Sequence, residues 1–138
     1  MHHVDRDQCW LLLYTKARAE SWADINLRKQ GFTTLLPRVR QRSGFAPLFP
    51  RYLFVGVPAG ADFRPAQSTR GVLYIVHCGE KPARVPVDVI ESVRERMDEF
   101  GVVELDGRQV QDPLFARRER ERVRALVKFA RAGFRVVA

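Results

Sequence analysis

Pro47-Leu48-Phe49-Pro50-Arg51-Tyr52-Leu53-Phe54-Val55-Gly56-Val57-Pro58, PLFPRYLFVGVP, runs apolar side chains between prolines with one charged residue, Arg51. Aromatic and β-branched types bounded by Pro50 and Pro58 read as a strand. Successive strand side chains point to opposite faces, so Leu53, Val55 and Val57 line one side while Tyr52 and Phe54 line the other. Both faces are apolar, and each needs a cover.

The neighbouring segments supply the rest of a sheet. WLLLYT, Trp10 to Thr15, is a second strand in which Leu11 and Leu13 oppose Trp10, Leu12 and Tyr14. From Arg18 to Gln30 the period changes to that of a helix, with Ala23 and Leu27 at i, i+4 and Gly31 as a stop. Phe32 to Arg40 reads as a strand entering a basic hairpin that turns at Ser43-Gly44, and Val72 to Cys78 as a further strand. A short helix broken by Pro65 is expected over 60–68. A longer one starting at Pro86 and reaching Phe100 carries Val89, Ile90, Val93 and Met97 on one face. The order predicts an α/β sandwich, a four-stranded mostly antiparallel sheet flanked by helices, followed by a C-terminal helical tail near 114–131. The aliphatic face is expected to form the core beneath the two long helices. That leaves an aromatic face of Trp10, Tyr14, Tyr52 and Phe54, with Phe49 nearby, only partly covered. Such a patch marks an interface, unless the short helix and the tail fill it from within.

Charge is unevenly spread. The net +8 of the 138 residues comes from 24 Lys/Arg against 16 Asp/Glu. Residues 113–138 hold eight of those cations against Glu119 and Glu121, so the body is nearly balanced. Within the body no acid occurs between Asp24 and Asp62, while Arg28, Lys29, Arg38, Arg40, Arg42 and Arg51 do, a segment suited to phosphates or to a solvated hairpin. Cys9 and Cys78 fit no CxxC or disulfide framework and read as reduced thiols of a cytoplasmic protein. The apolar runs are too short to span a bilayer, and no signal-peptide order opens the chain. No hydrolase elbow, phosphate loop or HExxH is present, His77-Cys78 lacks an acid partner and His2-His3 lies at a terminus. The sequence therefore predicts no catalytic residue, no metal, no cofactor and no enzyme.

WLLLYTKARAESWADINLRKQGFTTLLPR, PLFPRYLFV and STRGVLYIVHCGEKPARVP together resemble, in order and spacing, the N-terminal domain of the NusG family of transcription elongation factors, especially its RfaH-like specialised paralogues. The resemblance covers about residues 9–100, leaving 101–112 as a linker and 113–138 as a basic helical tail or a truncated, degenerate KOW segment. It implies a cytoplasmic, monomeric elongation and antitermination factor. The aromatic face would seat the clamp helices of the largest RNA polymerase subunit through Tyr14, Phe49, Pro50, Tyr52 and Phe54, with Trp10 and Ile75 as further contacts, and suppress pausing. It also implies recruitment by single-stranded non-template DNA through Lys16, Arg18, Trp22, Asn26, Gln30, Thr69, Arg70 and Val72. Cations there can neutralise phosphates and Trp22 can stack a base. Trp22 replaces a habitually basic residue, Asn26 a habitual histidine, and Phe63-Arg64-Pro65-Ala66 a His-Thr-Thr run that meets the opposite polymerase pincer in RfaH-like proteins. The tail is a shortened chain, a decayed domain or a lid over the aromatic face. The alternative to a polymerase-bound factor is a basic nucleic-acid-binding module whose aromatic face is filled internally.

Overall fold

The computed structural model describes residues 8–105 and 112–132; His2-His3, part of the linker expected over 101–112 and the end of the tail expected over 113–138 lie outside the described residues. The elements are β1 (Gln8–Thr15), α1 (Glu20–Lys29), β2 (Thr33–Leu35), β3 (Arg38–Gln41), β4 (Gly44–Pro47), β5 (Tyr52–Pro58), α2 (Arg64–Gln67), β6 (Val72–Ile75), β7 (His77–Cys78), β8 (Lys81–Pro82), α3 (Val87–Arg96), β9 (Val102–Val103), a 3-10 turn (Pro113–Phe115) and α4 (Glu119–Ala132). β2, β5, β1 and β6 form a four-stranded sheet in that order, antiparallel throughout. A smaller sheet, β4-β3-β9, carries the basic hairpin and pairs β3 with β9 in parallel. No helix among the described residues is long and apolar enough to cross a membrane.

The four-stranded sheet has a core on each side. On the aliphatic side Leu11, Leu13, Leu53, Val55 and Val57 pack with Ala23 and Leu27 of α1, Ala66 of α2, and Val72 and Ile75 of β6. On the other, Trp10, Leu12, Phe54, Leu48 and Phe49 pack with Val89, Ile90 and Val93 of α3, then with Leu114, Phe115, Ala125, Leu126 and Ala130 of the C-terminal segment. The expectation that both long helices share the aliphatic side is thus corrected. α1 takes that side, and α3 goes to the aromatic one. Helical periodicity identifies which stripe of α3 is buried and says nothing about which sheet face receives it.

Several boundaries also differ from expectation, each for a local reason. Leu36-Pro37 divides the strand expected over 32–40 into β2 and β3, because Pro37 has no N–H to give a ladder. The strand expected over 72–78 breaks after Ile75, where Val76 N–H donates to the Leu12 carbonyl at 2.9 Å and β7 turns back onto β8. α3 stops at Arg96, short of Phe100, because one carboxylate oxygen of Asp98 accepts the N–H groups of Phe100 (2.8 Å) and Val102 (2.9 Å) and closes a turn. Gly56 sits in the middle of β5 opposite Trp10; a methyl there would meet the Gln8 side chain and, at 3.2 Å, the edge of the indole ring. The large ring and the missing side chain are one packing decision.

Candidate functional site

The aromatic face is divided into an open rim and a covered floor. At the rim, strand register sets Tyr14 of β1 opposite Tyr52 of β5 and Tyr74 of β6. The three rings form a row, with centroids 5.1 Å apart for Tyr14–Tyr52 and 4.9 Å for Tyr14–Tyr74. Tyr74 is 48% exposed, while Tyr14 and Tyr52 are half-buried. Partial burial pushes the Tyr52 phenol above its ordinary pKa, the neighbouring Tyr74 and Tyr14 phenols push the same way, and Arg131 and Arg51 pull it back.

Arg51 holds this rim in place. Its guanidinium lies 4.4 Å from the Tyr14 ring centre, and its Nε donates to the Thr15 carbonyl at 3.1 Å. Its backbone is left-handed, φ 73°, a conformation costing a non-glycine residue about 1–2 kcal/mol. Two bonds offset that cost: Arg51 N–H donates to the buried Glu20 carboxylate at 2.9 Å, and its carbonyl accepts from Thr15 N–H at 2.8 Å. The first of these also ties α1 to the β5 turn.

Behind the rim the floor is sealed. Trp10, Phe49 and Phe54 are each at most 2% exposed. Phe49 and Phe54 meet edge to face at 6.0 Å, and Arg94 of α3 lies 5.3 Å from the Trp10 ring. The C-terminal segment closes over them and is fastened at three places. Arg96 stacks on Phe115 at 4.1 Å. Arg122, 4% exposed, donates to the carbonyls of Leu48 (2.9 Å), Ala116 (2.9 Å) and Arg117 (2.8 Å). At the far end of α4 the Cys78 thiol donates to the Arg131 carbonyl at 3.0 Å. Arg122 has no carboxylate within ion-pair distance among the described residues. Burial pulls its pKa down, and the charge of Glu119 acts the other way. A guanidinium held by carbonyls alone is satisfied in hydrogen bonds but not neutralised.

The expected polymerase-contact residues therefore separate. Tyr14, Pro50 and Tyr52 lie half-buried at the rim, and Trp10, Phe49 and Phe54 lie under the cover. Ile75 belongs to the core on the opposite side of the sheet. Tyr74 and the pinned Arg51 were not singled out for this face. Alternation puts Tyr74 and Ile75 on opposite faces of β6, and the pairing of Leu13 with Ile75 and of Tyr14 with Tyr74 gives the aromatic face to Tyr74, a cross-strand register that no local pattern encodes.

The second expected cluster is assembled beside α1. Lys16 N–H donates to the Gly71 carbonyl at 2.9 Å, bringing the loop after β1 against the loop before β6. Gly71, φ 95°, lies so close to α1 that a methyl would come within 3.0 Å of the Ala23 side chain. Asn26 donates its amide to the Arg70 carbonyl at 3.3 Å, and Gln30 donates to the Thr69 hydroxyl at 2.7 Å. Lys16, Arg18, Arg70 and Trp22, the last 49% exposed, remain open, and Ile25 adds an exposed apolar side chain one turn from Trp22. Thr69 is buried with its hydroxyl donating to the Pro65 carbonyl, and Val72 faces the aliphatic core. These two position the loop rather than offer a surface. Arg64 is exposed and paired with Asp62 at 3.0 Å, an ion pair that holds the Asp62 carboxyl below its usual range.

This fold, with an aromatic sheet face and a basic loop pair beside it, is matched by a family model described as transcription termination factor nusG over residues 8–94. The matched span contains the whole four-stranded sheet, α1, α2 and most of α3, and amounts to well over half of the chain. The chain belongs to the NusG family of transcription factors, which act on RNA polymerase without enzymatic chemistry of their own.

Proposed function

We propose that this NusG-family chain is an elongation and antitermination factor of the RfaH-like kind, whose aromatic face seats the clamp helices of the largest polymerase subunit and so suppresses pausing. The observation that carries this reading is the tyrosine row. Three rings sit side by side at the solvent edge of the sheet, kept there by an arginine in a strained backbone conformation. Full seating would also need Phe49 and Phe54, so the fastened C-terminal segment acts as a cover that α4 vacates when polymerase binds. The basic loops around Lys16, Arg18 and Arg70, with Trp22 free to stack, would take single-stranded non-template DNA. Asn26 keeps its amide oxygen to accept from a base edge.

Pull-down of core RNA polymerase tests the reading. Tyr14→Ala with Tyr74→Ala, at partly and well exposed positions, is expected to lower capture at least tenfold. Unchanged capture by a folded variant would overturn it. The near-complete burial of Trp10, Phe49 and Phe54 favours a second reading, a basic nucleic-acid-binding module whose aromatic face is permanently filled. Under that reading Arg122→Ala, which loosens the cover, leaves polymerase capture at background. Under the first it raises capture.

A further inference from the structure

α4 is amphipathic in an unusual way. Its inner face is the buried set Arg122, Ala125, Leu126 and Ala130. On the outer face Arg120, Arg124, Lys128 and Arg131 follow at intervals of four, four and three residues, which stacks them into one stripe. All four are exposed, and no salt bridge joins any of them to a carboxylate among the described residues. At 1.5 Å per residue the stripe runs about 16 Å along the helix. Glu119 and Glu121 sit in the first turn, where they complement the helix dipole and leave the rest of the stripe purely cationic.

Such a stripe calls for a polyanion, and two features select among polyanions. A helix lying on a lipid surface sinks its apolar face into the bilayer; here that face is already spent on the protein's own core. Proteins that hold single-stranded nucleic acid add aromatic platforms for unpaired bases. Among the described residues the stripe has none, since Phe129, the one aromatic residue of α4, is half-buried against the core. The α1 surface, with Trp22 standing open beside Arg18, is built the other way.

We propose that the outer face of α4 is a contact for the phosphate backbone of duplex DNA, independent of base sequence and separate from the α1 surface. The chain then carries two nucleic-acid contacts of different kinds, one for a stacked single strand and one for a duplex. This does not rest on polymerase binding, because naked DNA is enough to test it.

The test is fluorescence anisotropy with the full chain, a labelled 20-base-pair duplex, a 20-nucleotide single strand and vesicles containing phosphatidylserine, over a range of salt concentrations. Arg120→Gln, Arg124→Gln and Lys128→Gln together are expected to weaken duplex binding at least tenfold. They should also flatten the slope of log affinity against log salt by about 2–3, at roughly 0.9 per lost phosphate contact. Single-strand binding should change less than twofold, whereas Lys16→Gln with Arg70→Gln should show the reverse pattern. An unchanged duplex slope, an equal loss for the single strand, or binding to vesicles in preference to duplex would each overturn the proposal. Glutamine is a good helix former, and Arg124→Glu alone, a single exposed change, gives the same comparison should the triple variant fold poorly.

Discussion

The two sides of the sheet are closed by different means. On the aliphatic side α1 follows β1 directly, packs Ala23 and Leu27 into short aliphatic neighbours, and is tied to the β5 turn by the Glu20 carboxylate. On the aromatic side the last part of the cover arrives from the far end of the chain, and its most buried polar group, Arg122, is held by carbonyls with no ion-pair partner among the described residues. A cover built next in sequence from aliphatic packing is integral to the fold. One delivered late, and held by carbonyls around a charge, is the part that the proposed function requires to leave.

Substitutions on the two sides should therefore differ in kind as well as size. Leu27→Ala, fully buried under α1, is expected to cost about 2–5 kcal/mol and to lower the melting temperature of the whole domain in a single calorimetric transition. Leu126→Ala removes a side chain of the same size and burial from α4. Its loss should appear first in amide exchange of residues 119–132, with exchange of β1 and β5 changed much less. Arg122→Ala is expected to cost about 1–3 kcal/mol through the carbonyls it leaves unpaired, again concentrated in α4. The smallest effect is a pH dependence at the rim. The Tyr52 phenol has a folded pKa above its unfolded value of about 10, so the fold retains its proton more tightly than the unfolded chain. That contribution is fully present below about pH 10 and is lost as pH rises through the folded pKa. Urea titrations above pH 10 should lose stability less steeply in Tyr52→Phe than in the parent chain.

The same contrast explains what could be read from the residues alone. Alternation in PLFPRYLFVGVP and WLLLYT located two strands and both of their faces, and β5 lies where Pro50 and Pro58 bound it. Pro86 and the Val89, Ile90, Val93 spacing located α3, and the Arg122, Leu126, Phe129 spacing located a C-terminal helix, which starts only at Glu119 because Leu114 and Phe115 form a separate 3-10 turn. These are short-range signals. Where α3 and α4 would dock depends on contacts between distant residues such as Arg122 and Leu48, which no local period encodes. The left-handed Arg51 was hidden for another reason. Non-glycine residues seldom adopt that conformation, so no residue type announces it. The basic surface near α1 was legible as a set of residues. Its internal hydrogen bonds, which tie up the Asn26 and Gln30 amides, were not.

Hydrogen–deuterium exchange of the full chain, with and without core RNA polymerase, reports on the cover and the rim together. Release of the C-terminal segment on binding should increase exchange across residues 119–132 while protecting the strand ends that carry Tyr14, Tyr52 and Tyr74. If polymerase binds and α4 remains as protected as in the free chain, the aromatic floor is permanent core and the seat for polymerase lies elsewhere.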